Sequence, residues 1–314
     1  FTTICAMPNT DPVQDSAGTV EDVIRRAAVD GVVRVLPIGA ISVGQHGKQL
    51  APMGELADAG VIGFSDDGNA VEDGNLMRQA LAYSAEVGLP VINHAEDKKI
   101  TDGWVMTAGV VATRLGLPGA PNEAESAMVA RDLYLADLTK TQLHVPHIST
   151  IGSIEVLRSA KERGVNVTAE VTPHHLTLSE EWVFGLKGEV PSSVGLESYD
   201  TNTRVNPPLR SKADVRALVD ALRDGVIDII ATDHAPHAAT DKVCTYNEAA
   251  PGINVLETAF SSVFGLVNNG QISLVRLIES LTTHPASILG RDVGCLRKGF
   301  PADVTLIDPF NLWV

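Results

Sequence analysis

Four apolar segments of the 314-residue chain end in side chains that can bind a metal ion. If these segments are parallel strands, their carboxyl ends meet at one edge of the sheet, which is where barrel enzymes carry their catalytic groups. Two imidazoles and two carboxylates at such an edge form a ligand set for zinc or a similar metal, and two carboxylates suit a site for two ions. The residues are one of the pair Asp66 and Asp67, together with His94, His147 and Asp233.

Each of these side chains also has a structural explanation. A single histidine is more often a hydrogen-bonded residue of the core or rim, and an aspartate at a strand end can cap the following helix. Four such ends in succession favour the metal site. Asp66 and Asp67 are adjacent, and successive strand residues face opposite sides, so only one of the two can point into the site. The strand pattern alone leaves that choice open.

The elements that would position these residues alternate between strand and helix, which is typical of βα units around a parallel sheet. A (β/α)8 TIM-type barrel is predicted, with an eighth strand expected upstream of Phe1, and a doubly wound open sheet is the second choice. No GxGxxG motif supports that second choice. The predicted strands are 2–7, 33–41, 61–66, 90–94, 142–147, 165–172 and 227–233. The predicted helices are 18–30, 50–59, 74–88, 122–139, 151–163, 211–224, 253–267 and 271–290.

Two other segments differ from this alternation. Residues 176–210 form a connection rich in Gly, Ser and Pro, and its part 185–205 is expected to act as a lid over the site. Residues 298–314 are expected to leave the barrel and begin a small β domain. The predicted domains are therefore a barrel over 1–297, lacking its first strand, and the start of the small domain over 298–314.

Composition excludes several classes of partner. A formal net charge of −15 disfavours nucleic acid and anionic membranes, which the surface would repel. No apolar run approaches the roughly 20 residues of a membrane-spanning helix. Three widely spaced cysteines fit a reducing compartment, so a cytoplasmic location is expected.

Seven motifs occur in an order that resembles the bacterial dihydroorotases of the amidohydrolase superfamily, and the resemblance covers essentially the whole chain. They are Met7-Pro8-Asn9-Thr10, Gly63-Phe64-Ser65-Asp66-Asp67-Gly68, Asn93-His94-Ala95-Glu96-Asp97, His147-Ile148-Ser149-Thr150, Asn206-Pro207-Pro208-Leu209-Arg210, Thr232-Asp233-His234-Ala235-Pro236-His237, and Lys298-Gly299 with Ala302-Asp303.

The resemblance implies metal-dependent, reversible hydrolysis of the cyclic amide of dihydroorotate to N-carbamoyl-L-aspartate, in pyrimidine biosynthesis. It implies one or two zinc ions, with Asp67 rather than Asp66 as a ligand and with Asp233 also moving a proton. The implied ligands are Asp67, His94, His147 and Asp233. The residues implied in substrate binding are Asn9, Asn206, His237 and Gly252. The implied partners are the small-molecule substrate, further copies of the chain, and aspartate carbamoyltransferase.

Two alternatives stay open at this point. A hydantoinase or allantoinase would share the barrel and the type of reaction, but a lysine would be expected where Asp66 and Asp67 stand. An inactive dihydroorotase-like scaffold subunit of aspartate carbamoyltransferase would not need His94, His147 and Asp233. The family also has a His-x-His pair and an arginine on its first strand, upstream of Phe1, so residues 1–314 by themselves are expected to be inactive.

Overall fold

The computed structural model describes residues 1–185, 188–195 and 197–311. The strands are β1 (Thr3–Ala6), β2 (Arg34–Pro37), β3 (Val91–Ile92), β4 (Met106–Thr107), β5 (Gly119–Ala120), β6 (Leu143–Val145), β7 (Val167–Val171) and β8 (Ile229–Ile230). The α-helices are α1 (Ala17–Asp30), α2 (Met53–Ala59), α3 (Gly74–Val87), α4 (Val110–Leu115), α5 (Glu123–Thr139), α6 (Ile151–Glu162), α7 (Pro173–Thr177), α8 (Lys212–Arg223), α9 (Ala239–Lys242), α10 (Ala259–Asn268), α11 (Leu274–Leu281) and α12 (Thr283–Ile288). Short 3₁₀ helices cover Val43–Gln45, Glu180–Phe184 and Thr201–Thr203.

The main sheet is parallel and follows the chain order. β1 pairs with β2, and β3, β6, β7 and β8 pair in succession. Phe64 joins the two groups through parallel bridges to Gly39 on one side and Val91 on the other. The predicted strand 61–66 is therefore present only as these bridges. Seven strand positions in sequence order, with helices between them, are the arrangement of a (β/α)8 barrel, as predicted.

Side-chain caps explain where several helices begin. The Ser16 hydroxyl accepts from the Thr19 amide at the start of α1, and the Asp73 carboxylate accepts from two amides at the start of α3. At α8, Ser211 Oγ accepts from the Asp214 amide at 3.2 Å and donates to the Asp214 carboxylate at 2.6 Å. These contacts satisfy amides that have no partner within the helix.

The largest hydrophobic core lies between the sheet and the surrounding helices. It contains Phe64, Val91 and Leu143 from the sheet, and Met77, Leu81, Leu157 and Leu218 from α3, α6 and α8, each almost fully buried. Burial of apolar surface on this scale stabilises the barrel by roughly 25 cal/mol for each Å² removed from water. The carboxyl ends of the strands are thereby held in fixed relative positions.

Several regions differ from the sequence-based expectation. The predicted helix 271–290 is interrupted at Thr282 and forms α11 and α12, and the predicted helix 253–267 begins only at Ala259, as α10. β4, α4 and β5 form an insertion after β3 that was not predicted, because two-residue strands and a six-residue helix leave no clear periodicity. Residues 298–311 contain no strand, although Asp303 forms an ion pair with Arg34 beside β1. Parts of two predictions lie outside the described residues: 186–187 and 196 of the expected lid, and 312–314 of the small domain. The domain boundary at 297 stays a prediction.

Within the described part of the chain, no helix is both long and apolar enough to cross a membrane.

Candidate metal centre at the carboxyl ends of the strands

Three of the four predicted ligands lie together. Atoms of Asp67, His94 and His147 that can bind a metal all lie within 4.8 Å of one another. His94 Nδ1 is 3.0 Å from His147 Nε2, and the two rings meet edge to face with centroids 4.8 Å apart. Both histidines are buried, and Asp67 is half-buried.

A chain of hydrogen bonds extends from this group to two predicted substrate-binding residues. Asn9 donates to Asp67 Oδ2 at 3.0 Å. On the other side, Glu96 Oε2 lies 3.2 Å from His94 Nε2 and accepts from the Asn206 amide at 3.2 Å. Each asparagine amide thus contacts a carboxylate close to the imidazoles, Asn9 that of Asp67 and Asn206 that of Glu96. An amide has two N–H groups, so both residues can also donate to the oxygens of a bound small molecule.

Glu96 is a functional candidate that the sequence reasoning missed. It also accepts hydrogen bonds from Thr101 and from the indole of Trp104, at 2.8 and 2.6 Å. Burial by itself would raise the pKa of Glu96, but the contacts with His94, Thr101 and Trp104 outweigh it and lower that pKa to about 2. The sequence did indicate this position, because Glu96 stands two residues after His94 and residues two apart on an extended segment face the same side.

The choice between Asp66 and Asp67 is clear in the structure. The Asp66 side chain turns away from the imidazoles and accepts from the amides of Ile41 and Ser42 at 2.8 and 3.0 Å. It is fully buried and ties the loop after β2 to the strand position of Phe64. Asp67, as the resemblance implied, is the member of the pair that faces the histidines.

Asp233 does not belong to the group formed by Asp67, His94 and His147. Its charge still interacts with that of His94, and burial together with the nearby carboxylate of Glu170 raises the pKa of Asp233 to about 6. Its backbone φ of 47° is left-handed, as is that of His147 at 34°. Non-glycine residues hold this conformation at a cost, usually at functional sites. Ligation by Asp233 stays a prediction.

The chemistry of the donor set fits a metal ion. Burial and the neighbouring His94 lower the pKa of His147 to about 4, so its imidazole is neutral near pH 7 and can offer a lone pair. Burial raises the pKa of Asp67, and the two imidazoles oppose that rise. A cation at this point would stabilise the Asp67 carboxylate and satisfy both ring nitrogens, which now face each other.

The remaining predicted substrate residues form a separate contact at the rim. The exposed ring of His237 lies 3.1 Å, through Nε2, from the carbonyl oxygen of Pro251. Gly252 packs beneath that ring, where a Cβ atom would lie 2.8 Å from it and 2.4 Å from the Ala235 oxygen. The neighbouring His234 accepts through Nδ1 from two backbone amides, which explains why it is not available to the site.

His174 and His175 of α7 are both buried. His175 contacts Thr172 Oγ1 and the carbonyl oxygen of Pro207, at 2.7 and 3.1 Å. His174 has no hydrogen-bond partner among the described residues, and burial lowers its pKa well below the usual value. Burial also lowers the pKa of His175, to about 4, so both rings are neutral near pH 7.

Comparison with known proteins shows which family the chain resembles. A family model described as "Dihydro-orotase-like" matches residues 1–153. The chain is 48% identical over 313 residues to a protein of Anaeromyxobacter dehalogenans strain 2CP-1 named dihydroorotase, covering 100% of this chain and 70% of that one. A dihydroorotase of Geobacter metallireducens is 45% identical over 313 residues, with 100% and 71% coverage.

Solved structures support the barrel fold. An L-hydantoinase (dihydropyrimidinase) from Arthrobacter aurescens aligns with a TM-score of 0.80 at 23% identity, covering 96% of this chain and 67% of that one. A dihydropyrimidinase from Brevibacillus agri NCHU1002 aligns with a TM-score of 0.77 at 21% identity, with 96% and 66% coverage. At these identities the likeness establishes the fold alone. The identity to the curated relatives goes further, and by it the chain belongs to the dihydroorotase family.

Proposed function

We propose that this chain forms the catalytic barrel of a metal-dependent dihydroorotase. The reaction is the reversible hydrolysis of the cyclic amide of dihydroorotate to N-carbamoyl-L-aspartate, in de novo pyrimidine biosynthesis. One observation carries the proposal: Asp67, His94 and His147 converge within 4.8 Å, in a chain 48% identical to a protein named dihydroorotase.

The metal proposed is zinc, as one or two ions. Asp67, His94 and His147 would hold it, with Asp233 as a further ligand. When bound, zinc supplies Lewis-acid chemistry, because it polarises an amide carbonyl and lowers the pKa of water from about 16 to about 7. The two neutral imidazoles and the Asp67 carboxylate are the ligand types that zinc prefers.

Asp233 is proposed as the group that moves the proton. A general base takes a proton from the attacking water, and the same group then gives it to the ring nitrogen as the C–N bond breaks. Burial and the nearby Glu170 raise the pKa of the Asp233 carboxyl, which makes this carboxylate a better proton acceptor than an exposed aspartate. In the direction of ring closure the two transfers run in reverse order.

Asn9, Asn206 and His237 are proposed to hold the polar groups of the substrate, with the backbone at Gly252 against its ring. The amides of Asn9 and Asn206 donate to Asp67 and Glu96, close to the imidazole pair, which supports this assignment. Because the protein is strongly acidic, an anionic substrate needs these donors and the metal to offset the surface potential.

Assembly and location are also part of the proposal. Cys5, Cys244 and Cys295 are all free, which supports a reducing, cytoplasmic setting. Self-association and a complex with aspartate carbamoyltransferase stay predictions. A hydantoinase or allantoinase is less well supported, because Asp67 occupies the place where a lysine was expected.

The test is a comparison of substrates. The chain is joined to the N-terminal segment of the Anaeromyxobacter relative, giving what we call the extended protein, and is loaded with zinc. We expect turnover of dihydroorotate and carbamoyl-aspartate to exceed that of hydantoin, dihydrouracil and allantoin by at least about 10²-fold, because a site that pairs with a substrate carboxylate discriminates strongly against analogues without it. Preference for hydantoin or allantoin would replace the proposed substrate, and zinc binding without any turnover would favour the scaffold.

A further inference from the structure

The turn that carries His147 is fixed by a carboxylate from a helix. Glu125 of α5 accepts from the amides of Ser149 and Thr150, at 3.0 and 3.1 Å. Its carboxylate also accepts from the hydroxyls of Ser149, Thr150 and Ser153. All four residues are buried. The Ile148 amide still bonds to the Glu170 carbonyl oxygen of β7, at 2.9 Å, but the two amides that follow it are held by the Glu125 side chain.

Arg210 connects this turn to the segment that carries Asn206. Its guanidinium donates to Ser149 Oγ at 2.9 Å and lies 3.3 Å from Glu125 Oε2. It also donates to Thr107 Oγ1 of β4 and to Asn122 Oδ1 just after β5, at 3.1 and 3.0 Å, and so contacts the insertion formed by β4, α4 and β5. Arg210 is almost fully buried and stands four residues after Asn206.

We propose that Glu125 and Arg210 are positioning residues that hold His147 and Asn206 in register, so that the metal ligand and the substrate donor form one rigid unit. The inference rests on the proposed function and deepens it. Neither residue touches the three-ligand group, so each acts through the backbone that it fixes.

Energetics favour this role over plain stabilisation. Burying an ion pair costs desolvation energy, and apolar side chains of similar volume often stabilise a fold as well or better. A network that satisfies both charges instead specifies one geometry. His147 needs such support, because its left-handed backbone would relax if the turn were free.

The first test uses two serines as a matched pair. Ser149 and Ser153 are both fully buried, and each donates its hydroxyl to Glu125. Only Ser149 lies on the His147 turn and contacts Arg210. We expect Ser149→Ala to weaken zinc binding by about 10 to 100-fold, the usual effect of removing an outer contact of a ligand. Ser153→Ala should change the zinc affinity by less than about 3-fold. It should lower the thermal stability by about as much as Ser149→Ala does.

Metal affinity is measured by competition with a chelator, and the cobalt-substituted absorption spectrum reports the ligand geometry. Both are recorded on the extended protein and do not depend on which cyclic amide is hydrolysed, so this test can fail while the proposed function stands. Equal zinc affinities and unchanged cobalt spectra in the two variants would overturn the positioning role.

The second test replaces Arg210 by Lys, which keeps the charge but cannot make the planar set of four contacts. Displacement of Asn206 should raise KM for dihydroorotate by about 10-fold, with a smaller fall in kcat, because binding of the substrate is what this residue supports. The control is Arg223→Lys, which changes an exposed ion pair on α8. A uniform loss of stability with KM unchanged would assign Arg210 to the fold alone.

Discussion

At the scale of single residues, the sequence predicted which residue types form the candidate site, but it did not predict their contacts. His94 and His147 could be recognised as candidate ligands because they follow predicted strands. The bond between Glu125 and Arg210 could not be predicted, because it joins residues 85 apart in the chain. The orientation of Asp66 depends on amides of the loop after β2, which no local pattern encodes. Sequence therefore predicted the donors, and the structure was needed to see what orients them.

Asp233→Asn in the extended protein should reduce kcat by at least about 10²-fold, the low end of what a general acid–base contributes. Zinc content should change little, because Asp67, His94 and His147 remain. Turnover and bound zinc are measured on the same sample, with the exposed Asp224→Asn as control. Normal kcat at full zinc content would remove Asp233 from proton transfer.

Gly252→Ala should raise KM by about 10-fold or more, because a Cβ atom there would lie 2.8 Å from the His237 ring and displace it. The matched control is Gly265→Ala in α10, where an added Cβ meets no atom within 4 Å. Steady-state kinetics of both variants decide the matter. If KM is unchanged for Gly252→Ala, His237 does not contact the substrate.

At the scale of elements, the order of strands and helices was predictable, because long amphipathic helices and buried strands have clear periods. The insertion formed by β4, α4 and β5 was not predicted, because its elements are too short to show a clear period of apolar residues. The connection over 176–210 is also more structured than expected, because 3₁₀ helices cover Glu180–Phe184 and Thr201–Thr203. Its contacts reach the insertion: the Tyr199 hydroxyl donates to the Leu115 carbonyl oxygen at 2.9 Å.

The connection 185–205 stays a predicted lid. Limited proteolysis of the extended protein should cut within the exposed part 188–195 in the free state and more slowly with dihydroorotate or carbamoyl-aspartate present. Fragment masses locate the cut. Cleavage at the same rate with and without ligand would make the segment an ordinary surface loop.

Glu180, at the start of this connection, should make stability depend on pH. Burial, helped by Glu181 and Asp214 and opposed by Arg210, raises its pKa to about 7. The folded state therefore holds a proton that the unfolded chain releases near pH 4.3, and stability falls as pH rises from about 4 through 7. Glu180→Gln mimics the protonated form and should raise Tm by about 2–4 °C at pH 8, with little change at pH 5.

The expected rise in Tm corresponds to a gain of about 1 kcal/mol in the free energy of unfolding, because solvent partly screens the charge of Glu180. Glu189→Gln, an exposed carboxylate of the same connection, is the control and should leave Tm unchanged at both pH values. A gain in Tm that is equal at pH 5 and pH 8 would show that charge on Glu180 is not the cause.

At the scale of the whole molecule, the seven strand positions were predicted in the correct order because each is an apolar run. In the described residues β1 pairs only with β2, and β8 only with β7. Both outer edges of the sheet are then open, which favours aggregation. The chain spans about 70% of the length of the curated relatives.

Residues 1–314 expressed by themselves should be poorly soluble and inactive towards dihydroorotate. The extended protein should be both soluble and active, because an added strand covers an open edge and can bring further metal ligands. Soluble yield, bound zinc and turnover are compared for the two proteins. Zinc-dependent turnover by residues 1–314 alone would mean that the ligands present in this chain suffice.

The left-handed backbone at His147 and Asp233 has a consequence for protein engineering. Glycine adopts this conformation without a steric penalty, so selection for heat resistance alone would tend to replace these two residues and discard the chemistry with them. Any stabilised version of this barrel obtained by automated sequence optimisation should therefore be built with positions 147 and 233 held fixed, and the unfavourable backbone there accepted as part of the catalyst.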